Sequence, residues 1–390
     1  MGKTVTETTI AVKIHARDSP STLRSTLSSL HNDISKGCLS ISVVLIDDSQ
    51  EEANQNLNKS LLKRTFEKTR IAIRYFGKKE LVKTLDCIPE NNAHYIFSQI
   101  GMLGSSNYQP SRAKNVSQLI NTHADYELLL DDDILIDPKN ESKISTVEMT
   151  LNKARTNNAY VSANLMGSPD VSCIQLLERS ITNPLDKLHV WNDDPSNFSL
   201  SGGYLLYPNI ETLPMFPKTY NEDFVWVAYG MEKFHMNADK LFLNVYHSPI
   251  EPKTFSTDRL IYEATGEILF ETLRLTNRNS FIERHVPPSR REIETAINDY
   301  LEYVNYVLTL TKKRKNYSQI DSELLGKTDL GQCVKILIEH SRYIQHISYL
   351  RIQEFLLHWI KQVNQWIEIR KKIRGLRDDV SCVDSKKKTV

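Results

Sequence analysis

Three consecutive carboxylates, Asp131, Asp132 and Asp133, stand between two aliphatic runs in the segment 126–137. Short aliphatic runs of this kind are typical of buried strands, so the acids are expected where a strand ends. Adjacent carboxylates repel one another unless a cation neutralises them. Mg²⁺ and Mn²⁺ prefer carboxylate ligands and keep positions open for a diphosphate, so the triplet favours a metal site. A solvated acidic turn is the alternative.

Another acidic pair, Asp47-Asp48, follows the aliphatic run Ser42–Ile46. An earlier strand, Thr9–Ile14, leads through a polar loop into a helix that Pro20 opens. Strands that alternate with helices form a mostly parallel, doubly wound sheet, which binds ligands beyond the carboxyl ends of its strands. We therefore expect the two acidic groups to converge on one crevice of an α/β, Rossmann-like fold.

The segments around the triplet are less regular. A long loop or insertion is expected at 86–110, because Pro and Gly residues interrupt it. The segment Ser111–Thr122 has a helical pattern, and Val147–Asn157 and Ala159–Asn164 predict a helix followed by a strand. The stretch 183–198 reads as a polar loop rich in Asn, Asp and Pro.

After residue 255 the pattern becomes helical. Apolar residues recur at intervals of three or four in two stripes: Ile293, Ile297, Leu301, Val304 and Leu308, and then Ile352, Leu356, Trp359, Val363 and Trp366. We expect a catalytic domain at 1–255, an all-helical C-terminal appendage at 256–375 and a disordered basic tail at 376–390. The second stripe has coiled-coil spacing, which predicts either a homo-oligomer or packing onto the catalytic domain.

Composition indicates a soluble cytoplasmic protein without nucleic-acid partners. The 390 residues are 40% hydrophobic and 25% charged, with a formal net charge of +1. The five cysteines are scattered without zinc spacing, which suits a reducing compartment. The polar N-terminus resembles no signal peptide, and no apolar run is long enough to span a bilayer. Basic segments allow at most peripheral membrane contact.

Further motifs follow in order. Ala113-Lys114-Asn115 precedes the acidic strand, and Ser201-Gly202-Gly203, Asn221-Glu222-Asp223 and His247 come after it. With the strand-one loop and the acidic groups, this ordered set resembles the family-2 glycosyltransferases of the GT-A fold, which use nucleotide-diphospho-sugars. The resemblance covers roughly residues 8–250. It implies metal-dependent transfer of a sugar to an acceptor hydroxyl.

The resemblance implies roles for the donor and the metal. Asp133 and His247 would bind Mn²⁺ or Mg²⁺, and the metal would neutralise the departing diphosphate. The nucleotide-sugar, a UDP-sugar before a GDP- or dTDP-sugar, would contact Ala16, Arg17, Asp18, Asp47, Asp48, Arg112, Lys114, Asp131 and Asp132. Either Arg112 or Lys114 could meet the diphosphate, since Lys stands where the family usually has Arg. An ordinary Asx turn remains the alternative for Asp47-Asp48, and a packed residue the alternative for His247.

The resemblance also implies an inverting mechanism in which Asp223 is the base. Inversion requires a carboxylate that takes the proton of the acceptor hydroxyl as its oxygen attacks the anomeric carbon. The acceptor, a glycan, a lipid-linked molecule or a protein, would contact Gly202, Gly203, Glu222 and Trp226. Acids also favour the first turn of a helix, which is the structural alternative for Glu222-Asp223.

Three other functions remain open. A retaining glycosyltransferase would keep the fold but would not use Asp223 as a base. A nucleotidyltransferase-like enzyme usually needs a glycine-rich loop after strand one, and Ala16–Pro20 contains no glycine. A non-catalytic nucleotide-sugar-binding scaffold is the third alternative, because of the helical appendage.

Overall fold

The computed structural model describes residues 8–85, 110–120, 122–139, 141–167, 172–182, 202–248, 255–276, 287–313 and 329–384. The segments 86–109 and 183–200, predicted as loops, lie outside these residues, as does the end of the predicted tail. None of the described helices is long and apolar enough to cross a membrane.

Strands and helices alternate along the first half of the chain, as predicted. The elements are β1 (Thr9–Ala16), α1 (Pro20–Ile34), β2 (Ser40–Asp47), α2 (Glu52–Phe66), β3 (Ala72–Phe76), α3 (Lys78–Leu85), α4 (Pro110–Gln118), β4 (Tyr126–Asp131), β5 (Ile134–Ile136), α5 (Thr146–Asn157), β6 (Ala159–Gly167), α6 (Cys173–Ile181), β7 (Tyr204–Pro208), α7 (Glu222–Phe234) and β8 (Asn237–His247). Four helices follow: α8 (Thr257–Leu275), α9 (Arg290–Lys313), α10 (Leu330–Gln345) and α11 (Tyr349–Asp384).

The strands form one sheet of eight, in the order β3-β2-β1-β4-β7-β6-β8-β5. Strands β3, β2, β1 and β4 are parallel to one another, so their carboxyl ends share one edge. Strand β7 pairs antiparallel with β4 and β6, and β5 pairs antiparallel with β8. The predicted α/β class with a mostly parallel sheet and a helical C-terminal region is confirmed, and the antiparallel strands are the part that the sequence pattern did not predict.

Alternate residues of the strands face two different helical layers, because side chains alternate across a sheet. Val12, Ile14, Val43 and Leu45 pack on α1, α2 and α5. Val44 and Ile46 point to the other face, where α4, α6, α7 and the four C-terminal helices pack. One hydrophobic core therefore runs across the boundary at residue 255, and the division into two domains stays a prediction.

The last helix lies against the rest of the chain. Its predicted stripe, Ile352, Leu356, Trp359, Val363 and Trp366, is at most 2% exposed within a single chain. Since this stripe already has a partner inside the molecule, a homo-oligomer formed through it stays an untested prediction. The helix continues to Asp384, through part of the segment predicted as a disordered tail.

Candidate active site at the carboxyl edge of the sheet

The acidic triplet lies at the end of β4 and in the turn to β5. The N–H of Asp131 donates to the carbonyl of Gly203 (2.9 Å). A carboxylate oxygen of Asp132 accepts from the backbone N–H of Arg17 (3.0 Å). Asp133 Oδ2 lies 3.0 Å from His247 Nε2. Each acid thus contacts a different segment, and the turn is a junction of three segments that are distant in sequence.

Asp133 and His247, the two predicted metal ligands, are brought together by strand pairing. Antiparallel pairing of β5 with β8 places Ile134 opposite His247. The backbone N–H of Ser248 also donates to the carbonyl of Asp133 (2.9 Å). One carboxylate and one imidazole at this distance fit Mn²⁺, which accepts both donor types. Among the described residues no ready-made group of three or more ligating side chains exists, so further ligands would come from a bound diphosphate.

The carboxylates of the triplet repel one another. Burial raises the pKa of Asp132 well above its ordinary value, and the charges of Asp133 and Asp131 raise it further, although the Arg17 N–H opposes them. Carboxylates crowded in this way favour a cation. The donor set and its electrostatics therefore fit the divalent metal that the sequence predicts.

The loops after β1 and β2 bind each other. Arg17 donates to Asp48 (3.1 Å), and the N–H of Asp18 donates to Ser49 Oγ (2.9 Å). Asp18 has a φ of 49° and accepts from the N–H of Gln50 (2.9 Å). Because Arg17 also reaches Asp132, these contacts join the ends of β1, β2 and β4. The convergence expected from the sequence is therefore present.

The side chain of Asp47 is hydrogen-bonded within the protein. Its carboxylate accepts from Tyr75 Oη (2.9 Å), Asn58 Nδ2 (3.1 Å) and the N–H of Ser49 (2.9 Å), and the residue is 1% exposed. These contacts give Asp47 a structural role in holding the loop after β2. Its contact with the nucleotide stays a prediction, as it does for Ala16, Asp18 and Asp48.

The second acidic group lies at the start of α7. Lys114 donates to Glu222 Oε1 (2.9 Å) and to both oxygens of Asp223 (2.7 and 2.8 Å). Burial alone would lower the pKa of Lys114, but Asp223, Glu222 and Asp131 hold it well above its ordinary value. Because Asp131 also attracts the ammonium group of Lys114, this lysine interacts electrostatically with both acidic groups.

Glu222 and Asp223 differ in their surroundings. The Glu222 side chain is 9% exposed and that of Asp223 is 16% exposed. Burial raises the pKa of Glu222, and the attraction of Lys114 only partly offsets the burial. Asp223 is the more accessible of the two acids and binds Lys114 through both oxygens. This accessibility suits a base that must meet an external hydroxyl.

Helix α4 carries both predicted cations, Arg112 and Lys114. A buried lysine of β1 contacts its carboxyl end. Lys13 of β1 donates to the carbonyls of Ser117 (2.7 Å) and Ile120 (3.3 Å) and pairs with Glu127 (2.6 Å). Cations favour the carboxyl end of a helix, so Lys13 fixes the end of α4. Arg112, on the same helix, is 1% exposed; burial lowers its pKa, and the charge of Asp48 counters that effect.

The paired glycines lie beneath the acidic turn. Gly203 has a φ of +77°, and a Cβ there would lie 2.9 Å from Ile134 Cδ1 and 3.3 Å from Asp131 Oδ2. Only glycine combines this backbone conformation with such close packing. Gly202 and Gly203 are both buried. Their visible role is to pack against the turn at Asp131. Contact with an acceptor stays a prediction.

Trp226 is a core residue, which corrects the expectation that it binds the acceptor. It is fully buried, stacks on Phe216 with ring centroids 4.6 Å apart, and donates from Nε1 to the carbonyl of Pro214 (2.7 Å). Tyr160 and Tyr207 meet its ring edge-on. No face of the indole is left for a sugar.

Sequence reasoning missed His15 and two residues of α8. His15 lies beside Asp131 in the pairing of β1 with β4 and is 8% exposed. Burial, then the charges of Lys114 and Lys13, lower its pKa well below the usual value, and neither ring nitrogen has a hydrogen-bond partner. The indication available from the sequence was that His15 directly precedes Ala16, a predicted nucleotide-binding residue. Tyr262 and Arg259 of α8 also approach the site, and no local pattern indicates them.

No protein-family model matches the chain, and no curated protein matches it. Solved structures give distant similarities. Glucosyl-3-phosphoglycerate synthase from Mycobacterium tuberculosis, in complex with Mn²⁺, UDP and phosphoglyceric acid, has a TM-score of 0.40 and 12% identity, over 69% of this chain and 78% of that one. The mannosyltransferase PcManGT from Pyrobaculum calidifontis, in complex with GDP-Man and Mn²⁺, has a TM-score of 0.43 and 10% identity, over 92% and 87%.

S. aureus TarS has a TM-score of 0.38 and 15% identity, over 86% of this chain and 55% of that one. A likeness this distant gives no basis for transferring ligands or reactions to this chain.

Proposed function

We propose that this chain is a metal-dependent glycosyltransferase that moves a sugar from a nucleotide-diphospho-sugar to an acceptor hydroxyl with inversion. The observation that supports it is the position of Lys114, whose ammonium group binds Glu222 and Asp223 and is also attracted to Asp131. The acidic turn Asp131–Asp133 suits a metal–diphosphate, and the Glu222-Asp223 pair suits proton removal. Their proximity at one sheet edge is the arrangement that this transfer needs.

In the proposed reaction Asp223 takes the proton of the acceptor hydroxyl. The acceptor oxygen forms a bond to the anomeric carbon as the bond from that carbon to the diphosphate oxygen breaks, and the diphosphate keeps the electron pair. Lys114 donates to Asp223 and is also attracted to Asp131. Glu222 orients Lys114 or a sugar hydroxyl.

Asp133 and His247 would hold the divalent metal, and Asp131 would contact the ribose or a metal-bound water. When bound, the metal acts as a Lewis acid that neutralises the departing nucleoside diphosphate. Arg17 would keep Asp132 in place through its backbone N–H and Asp48 in place through its guanidinium group. A UDP-sugar is the favoured donor within this proposal, before GDP- and dTDP-sugars.

Metal binding tests the proposal directly. Asp133→Asn removes one charged ligand, so we expect the affinity for Mn²⁺ in the presence of UDP to fall about tenfold or more. Electron paramagnetic resonance of free Mn²⁺ measures this affinity without relying on catalysis. His247→Ala should weaken binding in the same direction.

Asp125→Asn is a matched control. Asp125 precedes β4 at the opposite edge of the sheet, where it accepts from the N–H of Thr9 (2.8 Å).

A screen of UDP-, GDP- and dTDP-sugars for Mn²⁺-dependent hydrolysis then identifies the donor. If the wild-type chain neither binds nor hydrolyses any of them, the proposal is wrong. The anomeric configuration of the transferred sugar, read by NMR, decides between inversion and retention.

A further inference from the structure

Helix α8 lies directly against the loop that carries the catalytic acids. A Cβ at Gly266 would lie 2.0 Å from the carbonyl oxygen of Tyr220 and 2.5 Å from its carbonyl carbon. No side chain fits at that distance, so the helix surface touches the backbone two residues before Glu222. Asn221, the residue between them, has a φ of 58°. This contact makes α8 a wall of the site, although α8 lies beyond the segment that carries the site motifs.

The face of α8 next to Gly266 carries Arg259 and Tyr262. The rings of Tyr220 and Tyr262 meet edge-on with centroids 6.4 Å apart. The guanidinium carbon of Arg259 lies 5.7 Å from the centroid of each ring. The Arg259 side chain is 38% exposed, and both tyrosines are partly exposed. These three side chains form an accessible aromatic and guanidinium surface.

This surface adjoins the catalytic pair. Burial raises the pKa of Tyr262, the charge of Glu222 raises it further, and Arg259 and Lys114 oppose these effects. Such charge effects act over short distances at a partly exposed site. The geometry is independent of these charges: Tyr262 meets the ring of Tyr220, which lies two residues before Glu222 in the chain.

The charge of Arg259 is already paired. Its Nε donates to Glu263 Oε1 (2.7 Å), and Glu263 is fully buried and also accepts from the N–H of Cys173 (2.7 Å). Among these described residues, three carboxylates, Glu222, Asp223 and Glu263, are paired with two cations, Lys114 and Arg259. A site with an excess of negative charge repels an anionic acceptor. The remaining guanidinium N–H groups and the tyrosine rings suit a neutral molecule with many hydroxyls.

We propose that Arg259 and Tyr262, together with Tyr220, bind the ring of a neutral sugar acceptor beside Asp223. The inference rests on the proposed function, because it names the acceptor class of that same site. Arg259 donates to hydroxyls of the acceptor sugar, and Tyr262 packs against its ring. The first helix of the C-terminal region therefore determines which acceptor is used.

Saturation-transfer NMR on the full chain with UDP and Mg²⁺ tests the inference. The probes are the methyl glycosides of glucose, mannose, galactose and N-acetylglucosamine, with glucuronate and glucose 6-phosphate as anionic comparators. We expect at least one methyl glycoside to bind more tightly than either anion. Tyr262→Ala should weaken its binding about three- to tenfold, Tyr262→Phe should weaken it less, and Arg259→Lys should weaken it because the forked donors are lost.

The chain contains a matched pair of control residues. Arg290 lies over the ring of Tyr349 at 4.9 Å and pairs with Glu294 four residues later, just as Arg259 pairs with Glu263. Tyr349→Ala and Arg290→Lys should leave glycoside binding unchanged, and thermal melting verifies that every variant folds.

Anions that bind better than all four glycosides would overturn the inference, as would glycoside binding that Tyr262→Ala does not change. Absence of nucleotide-sugar binding in the wild-type chain would instead overturn the proposed function and this inference with it.

Discussion

Lys114 is the residue on which the two acidic groups depend. Its side chain is 6% exposed, and it binds two carboxylates that are themselves mostly buried. Removing one partner of a buried ionic group leaves the others without compensation, and this costs more than the intact group contributes. The lysine is therefore needed both for folding and for holding Asp223 in place.

Lys114→Met tests both roles. We expect the free energy of unfolding to fall by about 3–5 kcal/mol, because Glu222 and Asp223 become buried charges without a cation. Transfer should fall by at least about 100-fold, as for loss of a group that acts in proton removal. Urea denaturation and a transfer assay at saturating donor measure the two effects. Lys153→Met, which breaks the more exposed Lys153–Asp239 pair, is the control. Equal losses in both variants would contradict the special role of Lys114.

At the level of elements, local patterns predicted β1, β2 and β4, because each is an aliphatic run followed by polar residues at the sheet edge. The pairing of β5 with β8 was not predictable, since it joins Ile134 to His247 across more than a hundred residues. His247 could be singled out only through the family resemblance. Trp226 was misjudged for a related reason: an aromatic residue near a motif can face the site or the core, and only packing decides.

Gly266→Ala tests the contact between α8 and the catalytic loop. The added methyl group would collide with the backbone of Tyr220, which cannot turn away as a flexible side chain can. We expect the helix to shift and the free energy of unfolding to fall by about 1–3 kcal/mol. Transfer should fall more than nucleotide binding, because the acids move and the strand ends do not. Gly331→Ala is the control, since its methyl group meets only the Asp329 side chain at 3.0 Å. Unchanged transfer in Gly266→Ala would contradict the contact.

At the level of the whole molecule, the last helix α11 contacts the end of α4 and the segment between β7 and α7. Trp359 donates to the carbonyl of Met215 (3.2 Å), and Trp366 donates to Gln118 Oε1 (3.1 Å) at the end of α4. Arg370 donates to the carbonyl of Ile210 (3.1 Å) in the loop after β7. These contacts hold the helix that carries Lys114 and the loop that leads to Glu222. The apolar stripe predicted from sequence thus helps to hold the segments that carry Lys114 and Glu222.

Trp359→Ala measures that support. Trp359 is 2% exposed and meets Tyr229 of α7 edge-on at 5.5 Å. We expect the free energy of unfolding to fall by about 3–5 kcal/mol, as for other buried tryptophans. Leu357→Ala, on the same helix and 41% exposed, should change it by less than about 1 kcal/mol. Denaturation curves with equal midpoints for the two variants would contradict the packing of α11.

The hydrogen bond between Trp366 and Gln118 joins residues that are 248 positions apart. A ribosome that adds about 5–20 residues per second needs some tens of seconds to make that stretch. In the last part of that time, after Tyr262 has been made, the nascent chain contains every motif of the proposed active site, yet α4 still lacks its contact with α11. We therefore expect the proposed transferase activity to appear only after α11 has been made.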